Sequence, residues 1–310
     1  MAGSCDVSVL LTSCNQTELL PVVLQRFAAQ DYRGSWEIIV CDDGSEEDAL
    51  EIIRHAPAPL ASLVRYVWQP RGGERRARNR NNGLRCAKGR IVIFVDGDIA
   101  VRPDFVTRHV EAHMGEPTIV FGPRFWLFLG DLPAGYLVHP AIDSLLGDTA
   151  DKSLLVSDLP YQEYHVSSSC PWLGCLGFNF SFVPSSREVL FDEDFVGWGC
   201  EDQEFACRLS VRHGYRLHFS RLIDTVHLEA GFRKDYVPLR PQTSSDISLY
   251  VKNLVHFCNS YPEFDAVVIC YSLGLFEFDH EKRVWNRARR PRSDRQHIRS
   301  LLATARECLG

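Results

Sequence analysis

Two acidic pairs carry the chemistry that this sequence can offer. The first is Asp96-Gly97-Asp98, at the end of R-I-V-I-F-V-D-G-D-I, in which Ile91 to Val95 are apolar and mostly β-branched. Carboxylates at i and i+2, with a glycine between them to let the backbone turn, can aim oxygens at one hard divalent cation. Asp and Gly also favour turns on their own account, so an acidic strand-to-loop corner is the plainer alternative. The second pair is Glu201-Asp202 in F-D-E-D-F-V-G-W-G-C-E-D-Q-E-F-A-C-R-L. Phe205, Ala206 and Leu209 recur at helical spacing and place both acids at a helix N-terminus, where the dipole favours the ionised form. An aspartate there, near its reference pKa of ~3.9, is a ready proton acceptor at neutral pH, although acids often do no more than complement the dipole. Trp198, flanked by glycines, adds a flat surface of the kind on which sugar rings stack.

These groups need elements to hold them. Ile91 to Val95 reads as a strand buried on both faces, as at the centre of an α/β sheet. Val7 to Thr12 is a second such strand, and the polar S-C-N-Q-T after it caps a helix through Leu19, Leu20, Val23, Leu24 and Phe27. Trp36 to Cys41 is a strand ending in Asp42-Asp43-Gly44-Ser45, Glu46 to His55 a helix, and Leu63 to Gln69 another strand. Such alternation implies right-handed crossovers and a mainly parallel sheet, with ligands beyond the carboxyl ends of its strands. Both acidic clusters, Asp42-Asp43 and Asp96-Asp98, then open on one edge. Between them, Arg71 to Arg90 holds eight basic residues and one acid, on a loop and the start of a helix. A helix N-terminus with guanidinium groups suits a diphosphate, and a solvated basic helix is the alternative.

Further on, a helix spans Pro103 to Met114 and a strand Thr118 to Gly122. Phe125 to Ser169 is aromatic and weakly periodic, too long for a plain connection, and fits a substrate lid or acceptor wall. Tyr215 to Phe219 alternates as a strand, Thr243 to Tyr261 reads as a helix apolar nearly all round, and Ala266 to Phe278 as a core helix.

Composition bounds the class. The 310 residues are 45% apolar and 24% charged, an ordinary globular balance with room for a large core. No charge-led apolar leader and no run of eighteen apolar residues occurs, so a soluble, cytoplasmic protein is expected. The eleven cysteines are odd in number and lack a C-x-x-C pair, which argues for reduced, mostly buried thiols. Net charge is −6, with no nucleic-acid footprint, yet from Glu281 onward nine basic residues face three acids, leaving the tail at +6 and the remainder at −12. A solvated helical tail is the expected reading, and peripheral contact with an anionic membrane the alternative.

Taken as a set, V-S-V-L-L-T-S-C-N, C-D-D-G-S and R-N-N-G-L-R-C-A-K-G-R-I-V-I-F-V-D-G-D resemble the nucleotide-sugar half of family 2 glycosyltransferases with the GT-A fold. Arg80, Asn81 and Gly83 stand where that family has A-R-N-x-G-L, the glycine thirteen residues before the first aspartate of its D-x-D motif. The resemblance covers about the first 120 residues, and Ser13-Cys14-Asn15 departs from the usual P-T-Y-N. It implies a mixed, mainly parallel α/β sheet flanked by helices. The expected divisions are a donor half over 1–123, an acceptor and catalytic half over 124–235, and a helical extension over 236–310. Thr12, Asp42, Asp43, Arg80 and Asp96 would bind a UDP-sugar.

The W-G-C-E-D segment resembles the W-G-x-E-D motif of inverting galactosyltransferases and chondroitin-type polymerases. Carried over, Asp202 is the catalytic base, Glu201 an acceptor ligand and Trp198 its neighbour. In those enzymes a later histidine completes a metal site, which points to His227 with Asp98, and to Mn²⁺ or Mg²⁺; His218 is its competitor. The acceptor would be a glycan, small molecule or peptide, with a homo-oligomer open. A nucleotidyltransferase and a non-catalytic sugar-nucleotide binder are the other classes, and neither has a use for W-G-C-E-D.

Overall fold

The computed structural model describes residues 5–46, 49–113, 115, 117–132, 145, 155–186, 188–232, 241 and 243–309. At its centre stand three parallel strands, Val7–Ser13 (β1), Trp36–Asp42 (β2) and Ile91–Asp96 (β4), with Val64–Trp68 (β3) at one edge. The apolar runs predict burial on both faces, and side-chain alternation delivers it. Val9, Leu11, Ile91, Ile93 and Val95 pack into one core, while Leu10, Val92 and Phe94 pack into the other.

Register sets the functional edge. Thr12 pairs with Cys41 and with Asp96, and Ser13 with Asp42, so the carboxyl ends of the three strands finish level. The sheet continues through Asn179–Phe182 (β9), antiparallel to β4 and to Thr118–Phe121 (β6), and ends at Arg216–Phe219 (β10). The resulting seven-stranded order is β10-β6-β9-β4-β1-β2-β3. A second, four-stranded sheet stacks Ile99–Val101 (β5), Thr225–Glu229 (β11), Arg124–Phe128 (β7) and Val156–Ser157 (β8) in that order.

Helices Leu20–Ala28 (α1), Ala49–Arg54 (α2), Arg76–Cys86 (α3) and Phe105–Ala112 (α4) fill the crossovers. The last three lie within their expected stretches and α1 is shifted by one residue, although residues 47, 48 and 114 are outside the described ones. The expected S-C-N-Q-T cap of α1 is not made: no side chain caps that helix, and Pro21 occupies its first turn. Asn15 and Gln16 instead spend their side chains on Glu46 and Asp98.

Beyond the sheets lie Leu159–Val166 (α5), Glu201–His213 (α6) and Ser244–Ser260 (α7). Of the stretch expected as a lid, 133–144 and 146–154 are outside the described residues, and the rest supplies β7, β8 and α5. The apolar run Ala266 to Phe278 is not one helix. It divides into Ala266–Ile269 (α8), a 3-10 turn over Tyr271–Leu275 and the strand Phe276–Asp279 (β12), paired with Val284–Arg287 (β13). Gly274 breaks it, because its backbone hydrogen-bonds Arg292 and a Cβ there would come within 1.8 Å of the Arg292 carbonyl oxygen.

The basic tail also differs from a solvated helix. Arg295–Leu309 (α9) buries Ile298, Leu301, Leu302 and Ala305 along one stripe, and Arg295 pairs with Asp265. No helix among the described residues is long and apolar enough to cross a membrane, and all eleven cysteines are free thiols.

Candidate active site

A cavity of about 490 Å³ opens at the carboxyl edge of the central strands. Thr12, Asp43, Arg80, Asp96, Asp98, Trp198, Glu201, Asp202 and His227 all line it, so residues from distant parts of the chain meet in one place. Asp42 does not. Its carboxylate is buried and turned inward, accepting from Ser45 and from the Tyr66 hydroxyl at 2.6 Å. Asp43 faces the cavity but is also engaged, taking bonds from Gln69 and from the Arg75 backbone.

His227 reaches the edge by strand pairing. It stands opposite Ile99 across the antiparallel β5–β11 pair, and the Leu228 amide donates to the Asp98 carbonyl at 2.8 Å. That register brings His227 Nε2 to 3.2 Å from Asp98 Oδ2, with both side chains buried. His218, on edge strand β10, is exposed and outside the cavity lining. A carboxylate oxygen and an imidazole nitrogen at this separation suit two adjacent positions of a divalent shell with bonds of roughly 2.1 Å. His227 Nδ1 is buried with no hydrogen-bond partner among the described residues, and Trp126 packs on the ring at 4.1 Å. The pair would fit a divalent ion such as Mn²⁺ or Mg²⁺. Among the described residues, the three-ligand group close enough to share an ion is Asp192, Asp194 and His256, which lies outside this cavity.

Arg80 takes a different place from the one a diphosphate-binding loop suggests. Its guanidinium is only 2% exposed and spans two acids, donating to Glu201 Oε1 at 2.7 Å and lying 3.3 Å from Asp96 Oδ1. Thr12 donates to the same Asp96 oxygen at 2.6 Å. Burial alone would lower the Arg80 pKa, but Glu201, Asp96 and Asp202 more than reverse this and hold it charged. Arg80 is thus the post between the strand-end acid Asp96 and the N-terminus of Glu201–His213 (α6), while Arg71, Arg76 and Arg124 also line the cavity.

Glu201 and Asp202 begin α6 as their sequence implies, after a turn holding three left-handed residues, Gly197, Gly199 and Cys200. Gly199 is confined further, since a Cβ would meet the Tyr250 ring at 2.8 Å. Asn253 clamps this turn by donating to the carbonyls of Val196 and Gly199, each at 3.0 Å. Asp202 accepts from the backbone amides of Gly177 and Gln203 at 2.6 and 2.8 Å. Its pKa is not near the reference value. Burial, followed by the neighbouring Glu201 charge, pushes it up to about 6 against the pull of Arg80 and the two amides. A carboxylate so placed is ionised at neutral pH and a stronger base than a free aspartate.

Sequence reasoning missed several residues here. Gln16 donates to Asp98 Oδ2 at 2.6 Å. Arg124 pairs with Asp158 and lies between the rings of Trp126 and Phe178 at 4.3 and 4.2 Å. Gln203, directly after Asp202, reaches the Tyr161 hydroxyl. Only Gln16 and Gln203 had a signal, their adjacency to motifs already singled out.

The sheet order, with an acidic edge at the ends of its parallel strands, defines a GT-A fold. Residues 8–154 match the model of glycosyl transferase family 2. The validoxylamine A glucosyltransferase of Streptomyces hygroscopicus subsp. jinggangensis is 29% identical over 275 residues, covering 83% of this chain and 61% of its own length. The chondroitin synthase of Escherichia coli is 28% identical over 220 residues, covering 66% of this chain and 32% of its own. The chain thus spans about three-fifths or less of these two relatives. Among solved structures, the mannosyltransferase PcManGT of Pyrobaculum calidifontis, in complex with GDP-Man and Mn²⁺, superposes with a TM-score of 0.54 at 17% identity, covering 99% of this chain and 75% of its own. S. aureus TarS 1-349 in complex with UDP-GlcNAc gives 0.51 at 16% identity, covering 87% and 70%. At these identities the likeness is one of fold.

Proposed function

We propose that the chain is a metal-dependent, inverting glycosyltransferase that moves a hexose or N-acetylhexosamine from a UDP-sugar to an acceptor hydroxyl or thiol. The observation that carries this reading is one cavity bounded both by the Asp98–His227 pair and by Asp202. Asp43 and Thr12 border the donor's nucleoside end, and Asp98 with His227 would hold a divalent ion. When bound, that ion neutralises charge developing on the departing diphosphate.

The chain's own residues supply the remaining steps. Glu201, fixed by Arg80, and the face of Trp198 orient the acceptor. Asp202 Oδ takes the proton of the attacking hydroxyl as the new glycosidic bond forms and the sugar–phosphate bond breaks, so the diphosphate leaves with the bonding pair. Attack from the face opposite the leaving group in a single displacement inverts the anomeric centre, with oxocarbenium character in between. The acid pair E-D supports inversion, because the second carboxylate supplies the base.

A panel of UDP-sugars tests this. The reading predicts Mn²⁺-dependent release of free UDP, abolished by EDTA and accelerated by a true acceptor, with the product's anomeric configuration opposite to the donor's by proton NMR. Release of pyrophosphate from a nucleoside triphosphate, with UDP-sugars untouched, would replace it with nucleotidyl transfer.

A further inference from the structure

The cavity does not end at Asp202. Past the carboxylates it continues between Tyr161, Trp198, Tyr250, Leu254, Ile269 and Tyr271. All except Tyr161 lie well beyond Asp202 or within the turn preceding it, and each of the six lies outside residues 8–154. Trp198 and Tyr250 pack tilted with centroids 5.3 Å apart, Tyr161 and Tyr271 tilted at 6.4 Å, and Leu254 and Ile269, each 2% exposed, close the wall.

Two of the tyrosine hydroxyls along this arm are already engaged. The Tyr250 hydroxyl bonds Ser272 at 3.0 Å, and the Tyr161 hydroxyl accepts from Gln203 at 3.3 Å. What these walls mainly offer a ligand is the carbon of ring faces and of Leu254 and Ile269. A hydroxyl pressed against Leu254 or Ile269 would lose its water and find nothing in exchange, whereas an apolar ring face would stack. Tyr271, 42% exposed, stands at the mouth of this arm.

Resting on the transferase reading above, we infer that the acceptor is a ring-bearing molecule. It lays an apolar ring face, either the C–H face of a saccharide or cyclitol or an arene, in this aromatic cleft, with its reacting hydroxyl turned back toward Asp202. The cleft, rather than the family 2 segment, sets acceptor choice. Gln203 joins the two functions, since its backbone amide holds Asp202 and its side chain holds Tyr161.

Saturation-transfer NMR on the full chain with UDP and Mn²⁺ tests the inference, using methyl β-D-glucopyranoside, phenol and the acyclic polyol sorbitol as probes. At least one ring probe is expected to bind and sorbitol is not. Tyr271→Ala should weaken that binding about two- to tenfold, the worth of one aromatic contact. Tyr271→Phe keeps the ring and should retain binding, and both variants should bind UDP as the native protein does. Preference for the glucoside identifies a saccharide-type ring and preference for phenol an arene, and either upholds the cleft. Sorbitol binding as well as a ring, no probe binding to a protein that takes UDP, or an unaffected Tyr271→Ala would overturn the cleft and leave the transferase reading standing. Failure to bind UDP at all would remove that reading and the cleft with it.

Discussion

At Asp202, burial and a neighbouring carboxylate oppose an arginine and two amides, and the balance leaves the pKa at about 6. A base that must be ionised to act then gives a definite profile. Acceptor-dependent turnover should be level above pH 7 and fall about tenfold per unit below pH 6, read as UDP release against pH. Removing Arg80 tests the other side of the balance. Arg80→Met leaves the buried Glu201, and the part-exposed Asp96 beside it, without their cation, which should cost about 3 kcal/mol by urea denaturation. Loss of the positive charge should also move the acid limb to higher pH. At this scale the meeting of Asp98, Asp202 and His227 at one cavity was legible, because a motif names both residue type and place. The place of Arg80 was not legible, because a run of eight basic residues does not say which guanidinium turns inward. That choice belongs to Glu201, more than a hundred residues away.

Among the elements, α7 and the W-G-C turn depend on each other. Asn253 holds two carbonyls of a turn whose three left-handed residues have few conformations to choose from. Asn253→Ala should therefore lower stability by about 2 kcal/mol through the two unpaired carbonyls. It should lower turnover further than stability explains, because Trp198 and Asp202 follow the turn; comparison of UDP release with chemical denaturation separates the two. Thr243 caps the same helix by accepting from the Asp246 amide, so Thr243→Ala should cost about 1 kcal/mol and leave donor binding unchanged in calorimetry. Strands with continuous β-branched runs were readable because they are buried on both faces, and their limits hold to within a residue or so. The run Ala266 to Phe278 was misread because apolar content alone does not separate helix from turn and strand. Gly274 and the pairing of Phe276 with Arg287 decide it by tertiary contact.

For the whole molecule, the level carboxyl ends of β1, β2 and β4, with Thr12 beside Asp96, and the β5–β11 pairing are what turn a linear set of motifs into one cavity. Behind that frame, His109 and His113 share the Ser181 hydroxyl at 2.8 and 2.7 Å, joining α4 to β9. Burial pushes their pKa values down to about 3 and about 4. Both are neutral in the fold and take up protons on unfolding, so their contribution is complete above pH 6.5 and is lost as the pH falls toward 4. The loss is about 1.4 kcal/mol per pH unit for each. Urea denaturation at pH 7 and pH 5 should show it, and a flat stability profile would contradict it. The α/β class and the donor edge were legible in the first 120 residues, where pattern and motif agree. The aromatic arm was not, since its walls come from four separate segments that only the folded chain brings together.

The central claim is that Asp202 acts as the base of a sugar transfer at a site whose donor side it does not touch. The most direct measurement is UDP release from a UDP-sugar by Asp202→Asn, alongside calorimetric binding of UDP with Mn²⁺ to the same variant. The account predicts turnover reduced about 10²- to 10⁴-fold with UDP affinity unchanged. Native turnover in Asp202→Asn would contradict it.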